Sequence, residues 1–241
     1  MRKGKLMIRL VAVLGAILLA GSVCSAAPIL TGTGDTGMLS VSGVDWTATL
    51  GDYFDGTGNV DGSSIAADRR DVANAFDGDP SSFLALGWGG MMLGVTGGYF
   101  VSPASITEVT FGTPNDLFPE SALIELDGGA ESVEIFNGSL GEAGCQGATA
   151  GIGCAFVAGA DSTTWAITFL SPFSSFKITD TTETNFGAFY LAANRASDGF
   201  DIGELELVAV PEPTSISLVG GALLAAALFC RKRQQFPWNQ R

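Results

Sequence analysis

The chain of 241 residues contains no histidine, which removes several kinds of chemistry at once. Catalytic triads that use an imidazole, histidine metal ligands and imidazole acid-base catalysis are all excluded. The Gly-rich stretch 87–98 has no lysine, so it is not a phosphate-binding loop. Carboxylate pairs remain for glycoside hydrolysis. None of the acidic residues lies in a recognisable catalytic motif, so the sequence predicts a protein that is not an enzyme.

Basic residues are scarce between Pro28 and Val210. This part of the chain has four basic and 24 acidic residues, which gives a net charge of −20. Such a charge repels nucleic acid and attracts divalent cations or basic partners. Nucleic acid is therefore excluded as a partner. We favour the simpler interpretation, in which acidity keeps the protein soluble. The four basic residues are Arg69, Arg70, Lys177 and Arg195.

The first 26 residues contain the successive regions of a secretory signal peptide. Four basic residues precede an apolar run at 10–20, and small residues follow this run up to Ala27. This order predicts cleavage after Ala26. The alternatives are an uncleaved anchor and a lipoprotein attached through Cys24, although Val23 stands where a lipobox has a small residue.

Cysteine is also rare, with four in the chain. Cys24 belongs to the predicted signal peptide and Cys230 to the apolar end of the chain. The exported part therefore keeps Cys145 and Cys154, nine residues apart. In an oxidising compartment this pair predicts a local disulfide that closes a Gly-rich loop, since a metal site needs more ligands.

The end of the chain, residues 210–241, combines three features in a fixed order. Pro211-Glu212-Pro213 comes first, an uncharged stretch at 214–230 follows, and a basic cluster begins at Arg231. The uncharged stretch of 17 residues is at the lower limit for crossing a hydrocarbon core of ~30 Å at ~1.5 Å per residue. It predicts a transmembrane helix at about 214–230 with the basic cluster on the cytoplasmic side.

This tail resembles the PEP-CTERM sorting signal of Gram-negative bacteria, which an exosortase recognises. The resemblance implies export across the inner membrane, temporary anchoring by the C-terminal helix, and a final location at the cell surface or outside the cell. It also implies a link to exopolysaccharide and biofilm. The alternative is an ordinary single-span anchor behind a proline linker. The matching residues are Pro211, Glu212, Pro213, Arg231, Lys232 and Arg233.

The segment between the two targeting signals, residues 27–209, has the pattern of a single β domain. Short apolar runs alternate with polar positions, as in Val133 and Ile135 on either side of Glu134. This period of two is typical of antiparallel sheets and predicts an all-β sandwich. The stretch 87–98 is predicted as a loop. The predicted strands are Trp46–Leu50, Tyr99–Val101, Ile106–Phe111, Ala122–Leu126, Ser132–Phe136, Ala155–Val157, Thr164–Phe169, Ser175–Ile178, Phe186–Leu191 and Glu204–Val208.

Two stretches of this domain, 73–83 and 200–207, carry a second resemblance. The first contains an Asp-Gly pair before a hydroxyl and an aromatic residue, and the second alternates glutamate with aliphatic residues. They resemble the opening loop and the closing strand of discoidin-like, galactose-binding-like jelly rolls. The resemblance implies a jelly-roll β-sandwich and a structural calcium. The alternative is an acidic β-turn without metal. The implied calcium ligands are Asp77, Asp79, Ser82 and Glu204.

Aromatic side chains are candidates for sugar binding, because sugar sites use aromatic faces together with a few polar groups. Trp88 lies among glycines and is expected on an exposed loop, with Tyr99 as a second candidate. Trp46 is also a candidate. Trp165 opens an alternating strand and is expected in the core. A membrane-anchored carbohydrate-binding module is therefore the alternative function, and a secreted glycoside-active enzyme is a further one.

Overall fold

The structure is a computed structural model that describes residues 27–79, 81–100, 104–109, 118–137, 140, 144–159, 162–207 and 209–210. The predicted signal peptide (1–26) and the predicted tail from Pro211 onward, with its transmembrane helix at 214–230, lie outside these residues. Among the described residues, no helix has the length and apolar character needed to cross a membrane.

Antiparallel β-strands make up most of the described chain. In chain order they are β1 (Thr36–Val41), β2 (Val44–Thr49), β3 (Tyr53–Phe54), β4 (Asn59–Val60), β5 (Leu84–Ala85), β6 (Met91–Val95), β7 (Tyr99–Phe100), β8 (Ala104–Val109), β9 (Ser121–Leu126), β10 (Glu131–Phe136), β11 (Gly144–Gln146), β12 (Ile152–Ala158), β13 (Ser162–Phe169), β14 (Ser175–Asp180), β15 (Asp201–Glu206) and β16 (Ala209–Val210). Within the described residues one α-helix, α1 (Thr182–Ala193), lies between β14 and β15.

The strands form two main sheets. The first has seven strands in the order β1-β2-β6-β14-β9-β10-β11, and the second has five in the order β12-β13-β8-β15-β5. Two ribbons, β3-β4 and β16-β7, complete the fold. Neighbouring strands within each sheet run antiparallel.

Both sheets contribute side chains to a single apolar core. Trp46 and Ile124 of the first sheet and Ile106 and Trp165 of the second belong to the same buried cluster. Each large apolar side chain that is fully buried contributes roughly 1.5–3 kcal/mol. The prediction of a β-rich, sandwich-like fold is confirmed at this level, and so is the prediction that Trp165 lies in the core.

Contacts between end strands close both long sides of the sandwich. On one side Cys145 of β11 forms a disulfide with Cys154 of β12, with Cα atoms 6.2 Å apart, so the predicted pairing is confirmed. Because these strands end different sheets, the bond joins the two sheets. On the other side a 3-10 turn, Val72–Ala75, contacts the two remaining end strands, β1 and β5.

The prediction of a strand at Phe186–Leu191 is wrong, because these residues lie in α1, a helix of 12 residues. Residues four apart share one face of a helix, but no long helical period marks the sequence between the two targeting signals. The helix ends at Asn194, which adopts the left-handed conformation with φ 50°. The buried residues of α1 are Thr182, Phe186 and Tyr190.

The prediction of a loop at 87–98 is wrong in its middle, because Met91–Val95 forms β6 between β2 and β14. Gly94 of β6 lies opposite Trp46 of β2. A Cβ atom added to Gly94 would lie 2.6 Å from a ring carbon of Trp46. Glycine therefore makes room here for a buried indole, and it does not mark a turn.

The other predicted strands coincide with observed strands to within a few residues, where the chain is described. Positions 101, 110–111 and 208 of those predictions lie outside the described residues. Strand β1 is not among the predicted strands, because its apolar residues do not all point inward. Met38, in its middle, is 70% exposed.

Candidate functional site

Trp88, the predicted exposed sugar-binding residue, is buried, with 5% of its surface accessible. Its ring stacks on Phe54 at a centroid distance of 4.3 Å. Tyr190 meets it edge-on at 5.9 Å. The indole Nε1 donates a hydrogen bond of 3.0 Å to Ser197 Oγ. The prediction of an exposed Trp88 is therefore wrong, because the flanking glycines turn the residue into an aromatic cluster between α1 and the strands.

Tyr99 is 45% exposed and lies on β7, opposite Val210 of β16. Since Trp88 is buried, the two residues present no shared aromatic surface. Trp46 is buried in the core as well. Of the three aromatic residues proposed for sugar binding, Tyr99 is therefore the one that is exposed to solvent.

The loop predicted to hold calcium is an exposed turn stabilised by its own hydrogen bonds. Asp77 Oδ1 accepts a bond of 2.8 Å from the Asp79 amide, and Asp77 Oδ2 accepts one of 2.6 Å from Ser82 Oγ. Asp79 Oδ1 accepts bonds from the amide and the hydroxyl of Ser81. These contacts are those of an acidic turn, the alternative left open by the sequence. Calcium at this loop stays a prediction.

Glu204, the fourth predicted calcium ligand, lies on β15 and lines a cleft that Phe76 also lines. Phe76 directly precedes Asp77 in the chain. The described residues do not bring Asp77, Asp79 and Glu204 together as three carboxylates within 4.8 Å of one another. A calcium ion in this loop would therefore depend on hydroxyl and main-chain oxygens in addition to the carboxylates.

A different group of carboxylates does meet this distance within the described part of the chain. Oxygen atoms of Glu120, Asp198 and Asp201 lie within 4.8 Å of one another. Glu120 and Asp201 are buried, and the Asp198 side chain is 17% exposed. A fourth acid, Glu108, is fully buried, and its proximity raises the pKa of Glu120. We call Glu108, Glu120, Asp198 and Asp201 the acidic cluster.

Strands of both sheets bring the acidic cluster together at one end of the sandwich. Glu108 lies on β8, and Ile202 of the neighbouring β15 is its partner in the sheet. Asp201 begins β15, and Asp198 lies in the segment that leads into this strand. Glu120 directly precedes β9 of the first sheet. The four carboxyl groups therefore come from chain positions up to 93 residues apart, namely 108 to 201.

The neighbours of the acidic cluster satisfy only part of its polar groups. Arg69 Nη1 donates a hydrogen bond of 2.8 Å to Asp198 Oδ2 and forms a salt bridge with it. Asn137 Nδ2 donates a bond of 3.2 Å to Glu108 Oε1. By contrast, Asp201 Oδ1 is buried and accepts no hydrogen bond from any described residue. A buried carboxylate oxygen in this condition is costly unless it has a partner.

Burial and mutual repulsion shift the pKa values of the acidic cluster. Loss of solvent raises the pKa of Glu120 well above its ordinary value, and the charges of Asp201 and Glu108 raise it further. Loss of solvent also raises the pKa of Asp201, with added repulsion from Asp198 and Glu108 and a smaller opposing effect of Arg69. Without a cation these groups therefore tend to keep their protons.

Asp180 is a further buried acid, at the end of β14, with a separate structural role. Its carboxylate accepts hydrogen bonds from the amides of Gly89 at 3.1 Å and Phe200 at 2.8 Å, and from Thr182 Oγ1 at 2.7 Å. Burial raises the pKa of Asp180 to about 7, and these hydrogen bonds limit the rise. Asp180 thereby fixes the residue that precedes Asp201.

A surface cleft adjoins the acidic cluster at Asp198. Tyr53, Arg69, Phe118 and Asp198 line this cleft, whose volume is about 320 Å³. Asp198 belongs to both the cleft and the acidic cluster, whereas Glu120 and Asp201 are buried behind it.

The residues of the acidic cluster are not among those predicted from the sequence. One local signal exists, since Ala104, Ile106 and Glu108 alternate on the inward face of β8. An acid at such a position marks a buried polar site. On β15 a bulge between Ile202 and Glu204 shifts the register. Asp201, Ile202 and Gly203 are buried in succession, which simple alternation does not predict.

Fold and site together define a β-rich, disulfide-linked, sandwich-like domain with a buried cluster of carboxylates at one end. The chain matches no protein-family model, and it shows no significant similarity to a curated protein or to a solved structure.

Proposed function

We propose that the protein is exported, sorted by an exosortase, and retained as a non-catalytic protein of the cell surface or extracellular matrix. The observation that carries this proposal is the order of features at the end of the chain. Pro211-Glu212-Pro213, the apolar stretch and the basic residues at 231–233 follow one another as in PEP-CTERM signals. The signal-peptide pattern at 1–26 supports the same route.

The end of the described fold is compatible with this route. Val210 of β16 pairs with Tyr99 of β7, and Pro211 is the next residue in the chain. The proline motif thus follows the folded domain without a long linker. Proline restricts the backbone to extended conformations, which would keep the motif accessible to a membrane protease next to the bilayer.

The chemistry of the domain also supports export. The Cys145–Cys154 disulfide joins the two sheets, and disulfides persist in oxidising compartments outside the cytosol. The net charge of −20 between Pro28 and Val210 favours solubility in such a compartment.

We propose further that the sandwich is discoidin-like. The turn at Asp77–Ser82 precedes β5, and the predicted closing stretch forms β15. Strands β5 and β15 are paired, with Asp201 opposite Ala85. The stretch 73–83 therefore leads into a strand that pairs with the closing stretch, while β1 to β4 precede it in the chain.

The proposed partners are the exosortase, the membrane during sorting, and the exopolysaccharide of a biofilm matrix. Proteins with this type of tail tend to occur together with exopolysaccharide production, and the matrix role rests on that association. A carbohydrate-binding site at Trp88 is not part of the proposal, because Trp88 is buried.

The proposal is tested by identifying both ends of the mature protein in a host that contains an exosortase. We expect extracellular or surface protein that starts at Ala27 and lacks the residues after Pro213. Replacing Pro211 and Pro213 together by alanine should leave the protein in the membrane fraction with its C-terminal end intact. Replacing Gln234 and Gln235 by alanine is the matched control and should leave sorting unchanged.

Two outcomes would overturn the proposal. The first is intact chain, with Met1 and Arg241 both present, dissolved in the cytosol. The second is normal release of the double proline variant. Stable membrane protein that keeps Arg241 in the exosortase host would instead indicate an ordinary anchor.

A further inference from the structure

We propose that the acidic cluster binds a divalent cation, with calcium as the ion, and that Glu120, Asp198 and Asp201 are its ligands. This site is distinct from the turn at Asp77–Ser82. The proposal concerns the folded domain and does not depend on export or sorting.

The first argument is electrostatic. The carboxylate oxygens of the three ligands lie within 4.8 Å of one another, and ionised carboxylates at such distances repel each other more strongly in a protein interior than in water. Three such pairs meet in the cluster, while Arg69 pairs with Asp198. The cluster must therefore either hold protons or bind a cation. A divalent cation relieves all three repulsions at once.

The second argument is the polar atom without a partner. Asp201 is 1% exposed, and its Oδ1 accepts no hydrogen bond from the described residues. The Asp201 carboxylate nevertheless lies within 4.8 Å of the Glu120 and Asp198 oxygens. A cation bound between these groups would supply the missing partner. Protonation of a neighbouring acid could satisfy one such oxygen, but it would leave the others close to like charges.

The third argument is the choice of ion. Each of the three ligands offers a carboxylate oxygen, and calcium takes 6–8 oxygen ligands in flexible geometry, to which bidentate carboxylates, main-chain carbonyls and waters contribute. The chain has no histidine, and its two described cysteines are joined in a disulfide. Nitrogen and thiolate ligands, which favour softer metals, are therefore not offered here. The cleft that Asp198 lines is where the proposed site meets the solvent-exposed surface.

Calcium titration of the chelator-treated full chain in non-ionic detergent tests the proposal at pH 8. We expect saturable binding by calorimetry and a calcium-dependent rise of the thermal midpoint. Asp201→Asn should weaken this binding at least tenfold. Asp79→Asn is the matched control, since it makes the same chemical change at the exposed turn, and it should leave the affinity within twofold of the wild type.

The behaviour in chelator separates ligand loss from loss of structure. Asp201→Asn should be at least as stable as the wild type at pH 8 without calcium, because a buried amide needs neither a proton nor a cation to be uncharged. Glu120→Gln carries the same test if Asp201→Asn does not fold.

The proposal is overturned if the wild type shows no calcium-dependent shift at millimolar calcium. It is also overturned if Asp201→Asn and Glu120→Gln bind as the wild type does, or if Asp79→Asn alone abolishes binding. The last result would place the ion in the turn at Asp77–Ser82. None of these results affects the sorting proposal, which the chain ends test.

Discussion

Trp88 Nε1 donates a hydrogen bond of 3.0 Å to Ser197 Oγ across 109 residues of sequence. Ser197 also exchanges two main-chain hydrogen bonds with Phe54, whose ring stacks on Trp88. The segment that begins at Ser197 carries Asp198 and leads to Asp201. The aromatic cluster around Trp88 therefore positions two members of the acidic cluster.

Substitutions at this contact should lower stability. Trp88→Ala is expected to reduce the free energy of unfolding by about 3–5 kcal/mol, because it removes a large buried side chain. Ser197→Ala should cost about 1 kcal/mol, the value of a typical hydrogen bond. Urea unfolding measures both. A double-mutant cycle of Trp88→Phe with Ser197→Ala should show coupling, and strictly additive effects would contradict the contact.

A side chain at Gly94 should disrupt the centre of the first sheet. Its Cβ would lie 2.6 Å from the ring of Trp46, a separation that requires the indole or the strand to move. We expect Gly94→Ala to lower the free energy of unfolding by about 1–3 kcal/mol. Gly97→Ala is the control, because nothing lies within 4 Å of a Cβ at Gly97. Equal stability of the two variants in urea would refute the packing argument.

Loss of the disulfide should destabilise the domain without changing its fold. The bond closes a loop between residues nine apart, for which chain entropy predicts a loss of about 2–3 kcal/mol in the double variant Cys145→Ser, Cys154→Ser. Reductant should lower the stability of the wild type by a similar amount and should not affect the double variant. A reductant effect on the double variant would point to another cause.

The buried acids should make the domain less stable as the pH rises. The pKa of Asp180 is raised to about 7 in the fold, from its ordinary value of 3.8. The folded state therefore holds a proton that the unfolded state has lost between pH 4 and pH 7. This contribution to stability is complete below pH 4 and is lost as the pH rises to about 7, with an upper limit of about 4 kcal/mol.

Urea unfolding between pH 4 and pH 8, in chelator, measures this slope. Glu120 and Asp201 have raised pKa values and act in the same direction. Asp180→Asn should be less stable at low pH, since it loses hydrogen-bond acceptors, but its stability should depend less on pH. An unchanged slope in Asp180→Asn would show that this carboxyl does not titrate in the range.

Local sequence patterns predict the strands well where alternation is clean. Val133 and Ile135 point inward and Glu134 is partly exposed, as expected. Leu205 is buried and Glu206 is exposed in the same way. The prediction works here because the period of two follows directly from strand geometry.

Local patterns fail where tertiary contacts decide the environment of a residue. The glycines around Trp88 indicate an exposed loop, but Phe54 and Tyr190 arrive from distant parts of the chain and cover the indole. The aromatic residues of α1 also suit a strand. A spacing of four over so few residues does not by itself identify a helix.

The acidic cluster shows the same limit. Glu108 and Asp201 become neighbours only when β8 pairs with β15. The distance between the two residues depends on the sheet topology, and no short stretch of sequence contains both. The turn at Asp77–Ser82 is predictable because all of its hydrogen bonds join residues at most five positions apart.

The two long sides of the sandwich are held by bonds of different kinds. Cys145 and Cys154 join one side covalently, whereas the turn Val72–Ala75 holds the other through noncovalent contacts. Slow breathing motions would thus pivot about the sulfur bridge and separate β1 from β5 first. Amide hydrogen exchange by partial opening would then begin beside the turn that leads to Asp77, leaving the cross-linked side protected until the whole domain unfolds.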